Sequence, residues 1–146
     1  MSAAVAQARI AARHCEVPVG AVIVRNNRII ATGRNDIIGR KDPTAHAELL
    51  AIRRAALKIR NERLTGCTLY ATLEPCAMCA GAIVLARLDR VVFGAREPKT
   101  GAAGSIVNLL NHPKLNHRCA VSGPMDAGRC GGLLTSFFRK RRAIRR

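Results

Sequence analysis

Apolar residues along this chain fall into short dense runs broken by polar or turn-forming residues. VPVGAVIVR (17–25) is apolar and β-branched, the pattern of a buried strand. Asn26 and Asn27 form a turn signal, and RIIATGRN (28–35) is a second strand, so the two are predicted to pair as a hairpin. Residues 2–13 are alanine-rich with recurring polar positions and predict a short helix. DIIGRKDPT (36–44) is predicted as a loop. Asp42 suits a helix cap and Pro43 a first helical position, so a helix is expected from about Thr44 through AHAELLAIRRAALKI. TLYATLE (68–74) is a third strand, and Pro75 opens a helix over CAMCAGAIVLAR. DRVVFGARE (89–97) is a fourth strand, followed by a glycine-rich loop, PKTGAAGS, and a short predicted helix, SIVNLLN (105–111). HRCAVSG (117–123) is a fifth strand and 125–142 a last helix. Strands alternating with helices predict an α/β layered sheet with its site at strand ends and helix N-termini. No repeat and no flexible linker divides the sequence, so residues 1–146 are read as one domain ending in a basic helix or tail from about 139.

Charge changes this picture most. Lysine and arginine number 25 against 9 acidic residues, a net charge of +16. A domain this basic repels itself and points to a polyanionic partner. The excess is concentrated in RKRRAIRR, Arg139–Arg146. A solvated helix end is the plainer, less favoured alternative for such a run. An anionic membrane surface fits less well, because the tail has few bulky apolar residues to insert. With only Tyr70, Phe93, Phe137 and Phe138 as aromatics, a broad base-stacking platform is not expected. No apolar run approaches a membrane span, and the first residues read as an amphipathic helix rather than a secretory signal. A reducing, cytoplasmic setting follows, in which the six cysteines are free thiols or metal ligands rather than three disulfides.

The stretch TLEPCAMCAG carries the candidate chemistry. Cys76 and Cys79, three apart, lie on one face of a first helical turn, where the helix dipole and free N–H groups favour thiolate. Alone, the pair is open to readings as a redox couple, a metal clip or two small buried residues. With His46 at the start of the other helix it supplies three ligands for a tetrahedral zinc ion, leaving a fourth position for water as catalytic zinc sites do. Glu48 lies two residues past His46, on nearly the opposite face of a helix body. The two can share a site only if it sits at the helix end, with Glu48 beside the metal to take a proton from water. His-x-Glu followed by Pro-Cys-x-x-Cys is the known signature of zinc nucleobase deaminases.

Beyond that signature, DPTAHAELLAIRRA, TLYATLEPCAMCAGAIVLARLDRVVFGAREPKTGAAGS and FFRKRR closely resemble the bacterial tRNA-specific adenosine deaminases, from about Glu16 to Arg142. EVPVGAV and the GARE-PKTGAAGS segment narrow the likeness from deaminases at large to the tRNA enzymes. The resemblance implies a three-layer α/β/α fold around a five-stranded mixed sheet, and a homodimer. It implies one zinc ion per subunit on His46, Cys76 and Cys79, with Glu48 as the proton shuttle. It implies conversion of adenosine to inosine at the wobble position of an arginine tRNA. The expected partner is the anticodon stem-loop, with single-stranded DNA as the alternative nucleic acid. Asn35 matches the asparagine that holds the target base, though an asparagine ending a strand needs no such role. Phe138 and Arg142 match tail residues that contact the stem-loop, and Lys99, in the glycine-rich loop, is expected to contact a phosphate. The chain departs from the family pattern at Arg34, where tryptophan is frequent, and at Glu97, where aspartate is.

The remaining polar candidates read as structural. Glu74, ahead of Pro75, is expected to cap or brace the helix mouth. Cys15, Cys67, Cys119 and Cys130 show no paired spacing, and His112 and His117 flank Pro113 in a loop. Phe137 and Phe138 divide between core and nucleic acid. Two rival functions are a deaminase of free bases or nucleotides, such as guanine or deoxycytidylate, and a zinc-stabilised nucleic-acid-binding module. The basic tail disfavours the first. A closed structural zinc site would need a fourth protein ligand, and only Glu48 is near.

Overall fold

The computed structural model describes residues 1–144; Arg145 and Arg146, the last two of the basic tail, lie outside them. The elements run α1 (Ser2–Arg13), β1 (Gly20–Arg25), β2 (Arg28–Arg34), α2 (Ile37–Arg40), α3 (Ala47–Ile59), β3 (Cys67–Leu73), α4 (Ala77–Leu85), β4 (Arg90–Ala95), β5 (Ala120–Ser122) and α5 (Ala127–Ile144). The sheet order is β2-β1-β3-β4-β5. β1 runs antiparallel to both β2 and β3, whereas β3, β4 and β5 are parallel. The expected five-stranded mixed sheet is therefore present. Asn26 and Asn27 both adopt positive φ, 49° and 58°, as a two-residue hairpin turn of the twist-matched kind requires.

Helices cover both faces, giving three layers. Alternation along the strands sends Ala21 and Ile23 of β1, Leu69 and Ala71 of β3 and Val91 of β4 into one buried cluster. Ala47, Ala51 and Ala55 of α3 and Ala80, Ile83 and Val84 of α4 meet them there. α1 and α5 cover the opposite face, where a Cβ on Gly20 would meet the Ala4 carbonyl oxygen and one on Gly94 the Cys130 sulfur; Val5, Ala95 and Cys130 form a second cluster. Small residues set the helix-to-sheet distance on each side. A Cβ on Gly33 would collide with the Ala47 carbonyl oxygen and lie 2.8 Å from the Ala51 nitrogen. The first turn of α3 is thus seated directly on β2, and any larger residue at 33 would push it away.

Three local expectations differ from the fold. Residues 105–111 form no helix. Their amides turn back to the glycine-rich loop instead: Ile106 N donates to Gly101 O and Leu109 N to Ala102 O, at 2.9 and 3.0 Å. Donors engaged this way are lost to an i to i−4 ladder. Within 36–44 the chain makes the single turn α2, whose Ile38 and Gly39 N–H groups donate to the buried Glu16 carboxylate at 2.7 and 2.9 Å. Asp42 caps no helix. Its Oδ1 accepts from the Thr44 amide and hydroxyl at 2.8 and 2.7 Å, closing a turn before α3 begins.

Candidate metal centre

α3 starts at Ala47, so His46 occupies the cap position with extended backbone, φ −73° and ψ 150°. Its ring leaves the helix end rather than lying along the helix body. Asn35, just past β2, fixes this start: its Oδ1 accepts the Ala47 N–H at 3.0 Å, satisfying one of the amide donors that a helix N-terminus leaves free. α4 repeats the device. Cys76 takes its cap position, again with extended backbone, and Cys79 falls in its first turn. The two helix mouths face each other across the end of β3.

His46, Cys76 and Cys79 are brought together there. His46 Nδ1 lies 3.7 Å from Cys76 Sγ and 3.6 Å from Cys79 Sγ, and all three donor atoms fall within 4.8 Å of one another. A tetrahedral ion with nitrogen at about 2.0–2.1 Å and sulfur at about 2.3 Å would space nitrogen and sulfur roughly 3.5 Å apart. The residues therefore fit a metal ion of that size in a mixed nitrogen and sulfur set. The proton balance fits as well. Cys76 is drawn down to about 4, chiefly by the hydrogen bond from the Cys79 thiol, and Cys79 is pushed up because it keeps that shared proton. The bond to Cys76 raises His46. Such a cluster already carries thiolate character, and a metal binds by displacing its protons.

Glu48 sits in the first turn of α3 with 3% of its surface exposed. Its Oε2 is buried with no hydrogen-bond partner, an arrangement that costs stability unless something else uses the atom. Burial pushes the carboxyl up to about 7, against the pull of His46. The geometric difficulty posed by His46 and Glu48 thus disappears: one precedes the helix and the other lies within it, so both face its mouth.

Above the centre opens a cavity of about 220 Å3, lined by Val17, Val19, Asn35, Glu48, Leu73 and Thr100 among others. It is smaller than the roughly 300–1,000 Å3 that encloses a whole drug-sized ligand, and suits one ring system. Glu97 lies on its wall and Arg34 is half-buried at the end of β2. Beside it runs a more open groove of about 520 Å3, formed by Pro98, Lys99, Leu134, Thr135, Phe138 and Arg142. The groove gathers Lys99, Phe138 and Arg142, three residues widely separated in sequence. Phe138 is 42% exposed and packs edge-on against the half-buried Phe137, at 5.5 Å between centroids.

Glu74 braces a different part than expected. It is 1% exposed, and its carboxylate accepts the backbone N–H of Glu97, Ala103 and Ser105, each at 3.0 Å, together with the Ser105 hydroxyl. It holds the 97–105 loop rather than the mouth of α4. Burial pushes its carboxyl up, but these bonds, the Ser105 hydroxyl foremost, outweigh burial and leave it below its ordinary value. The sequence reading also passed over Glu16, buried against α2. A carboxylate beside an apolar run was the available signal for it. The other four cysteines are unpaired thiols apart from the centre, and His117 bonds the Leu88 carbonyl at 2.7 Å, as a structural histidine does.

A layered mixed sheet with a His-Cys-Cys centre and a buried glutamate at two helix mouths defines a nucleobase-type deaminase. In keeping with this, the sequence model of the MafB19-like deaminase family matches residues 1–142. The tRNA-specific adenosine deaminase of Haemophilus influenzae is 51% identical over 128 residues, 87% of this chain and 74% of that protein. That of Bacillus subtilis is 46% identical over 142 residues, 97% of this chain and 88% of that protein. A solved structure from a study of A-to-I editing by tRNA:A34 deaminases superposes with a TM-score of 0.88 and 42% identity, covering 92% of this chain and 97% of the other. The chain belongs to the tRNA-specific adenosine deaminase family.

Proposed function

We propose that this enzyme, a hydrolase, converts adenosine to inosine at the wobble position of a tRNA anticodon, of the arginine type, with release of ammonia. The observation that carries the reading is the convergence of His46, Cys76 and Cys79 beside a partnerless buried Glu48 oxygen, at the base of a one-ring cavity. His46, Cys76 and Cys79 hold one zinc ion per subunit. When bound there, zinc supplies a Lewis acid that brings the ionisation of water close to neutral pH. Glu48, with a carboxyl that titrates near neutrality, accepts the proton released as water adds to the ring carbon bearing the amine. It passes that proton to the ring nitrogen, then takes the proton of the added hydroxyl and gives it to the amine, which departs as ammonia while the carbonyl forms. Asn35 turns its side chain into the cavity from a position fixed by its bond to Ala47, and orients the base.

The substrate must present an unstacked base, because the centre lies below a cavity too small for a base pair. An anticodon loop offers one. Lys99 and Arg142 meet its phosphates and Phe138 its bases or sugars, in the groove beside the cavity. The excess of 25 cations over 9 anions supplies the long-range attraction and makes binding steeply salt-dependent. No helix among the described residues is long and apolar enough to cross a membrane. We take the enzyme to act in the cytoplasm as a homodimer, each subunit one deaminase domain. The test is deamination of an arginine tRNA anticodon stem-loop by the zinc-loaded protein, with free adenosine, cytidine and guanine in parallel. Inosine at the wobble position alone is expected. Conversion of a free base or nucleoside in its place would leave the chemistry standing and overturn the substrate.

A further inference from the structure

Successive residues of one loop border two different places. Glu97 and Thr100 line the cavity, whereas Pro98 and Lys99 line the basic groove. Where this loop stands therefore decides how the groove and the cavity are related. Two devices hold it. One is backbone pairing with the metal-ligand segment: Gly101 bridges Cys76, and Ala102 N donates to Pro75 O at 2.8 Å. The other is Glu74. Its two oxygens receive four donors, all from 97–105, which matches the roughly four lone-pair sites of a carboxylate. Nothing of its acceptor capacity is left for a substrate. The loop lies directly on the carboxylate, since a Cβ on Gly101 would come within 2.5 Å of Glu74 Cδ and of the Glu97 carbonyl oxygen.

We propose that Glu74 is a positioning residue for nucleic-acid recognition: it sets the 97–105 loop against Cys76, so that a strand seated on Lys99 brings its neighbouring base over the metal centre. The inference rests on the function proposed above. Glu74 acts through the loop and takes no part in moving protons. It lies two residues from a metal ligand, so its contribution must be separated from that of the centre itself.

The experiment compares wild type, Glu74→Gln, Ser105→Ala and the double variant. Each is measured for bound zinc, for kcat and KM on the anticodon stem-loop, and for amide exchange at Glu97, Ala103 and Ser105. Glutamine turns an NH2 group toward donors, and the unsatisfied pairs are expected to raise KM about tenfold, with kcat moving much less and zinc retained. Exchange at the three amides should accelerate. Ser105→Ala should raise KM about threefold, and the double variant should be little worse than Glu74→Gln alone, because the two side chains act through one contact. Loss of zinc, a fall in kcat at constant KM, fully additive effects, or unchanged amide exchange would each overturn the proposal. If Glu74→Gln does not fold, Ser105→Ala decides, and an unchanged KM there overturns it. If wild type leaves the stem-loop unmodified, the proposed function fails. Zinc content and amide exchange then still decide whether Glu74 holds this wall independently of the centre.

Discussion

His46, Cys76 and Cys79 stand at the mouths of two helices, and none of them can move without a helix moving too. Lys99, Phe138 and Arg142 stand on a loop and on the outer side of α5, and each reaches the groove by its own side chain. The first set is held by backbone geometry, by Gly33 beneath α3 and by the Asn35 bond at its start. In the second, the backbone beneath Lys99 is fixed through Glu74, but the side chains themselves are held by little beyond local contacts, such as the 5.5 Å edge of Phe137 against Phe138. On the proposed function, chemistry is tied to secondary structure, and recognition to adjustable surface groups. Changes at the centre should therefore act all or none, and changes in the groove by degrees.

The sharpest way to break that contrast is at the metal. Cys79→Ala should lose zinc and reduce inosine formation to background, as zinc analysis and a stem-loop assay would record; retained turnover would remove the basis of the mechanism. Glu48→Gln should keep zinc and lose about 10²–10⁴ in turnover, the usual worth of a positioned proton carrier. Loss of zinc instead would make Glu48 a ligand. Asn35→Asp preserves an oxygen for the Ala47 amide, so the melting temperature should hold while kcat/KM falls about tenfold or more, the cost of an unmatched polar contact to the base. A melting temperature that falls in step would assign Asn35 to folding alone. Arg142→Ala should weaken stem-loop affinity severalfold and reduce the slope of log affinity against log salt by about 0.7–0.9. An unchanged slope would take Arg142 off the phosphates.

The smallest effect is on protonation. Thr44, through its hydroxyl and then its amide, holds the Asp42 carboxyl below its ordinary value of 3.8. A depressed carboxylate contributes stability that is present above the unfolded value and lost as pH falls through the folded one. The Thr44 amide resonance should therefore shift on acidification with a midpoint below 3.8. A shift centred at or above 3.8 would show the turn contributes nothing.

The strands and most helices were legible because β-branched runs and amphipathic periods are set locally. The segment 105–111 was not, since its apolar content suits a helix but its amides answer to Gly101 and Ala102, a tertiary pairing with no local mark. Asp42 misled for a related reason. It is a good helix cap, but Thr44 lies within reach and takes it first. At the centre, fixed spacing and helix starts made His46, Glu48, Cys76 and Cys79 readable from the residues themselves. Lys99, Phe138 and Arg142 had no such spacing, and only the family resemblance joined them. Glu16 escaped, and Glu74 was assigned to the helix mouth rather than to the 97–105 loop, because most of their partners are backbone N–H groups, which any residue type can supply.

One loop that touches the cavity with Glu97 and Thr100 and the groove with Pro98 and Lys99 has a consequence for the cell. On the proposed function, free adenosine is a competitor present alongside every tRNA. It can fill the cavity but cannot engage the groove, so it meets the loop from one side only. Discrimination against a large metabolite pool then needs no gate and no second checking step. It follows from leverage: a polymer is held at two points of one short lever, and a monomer at one.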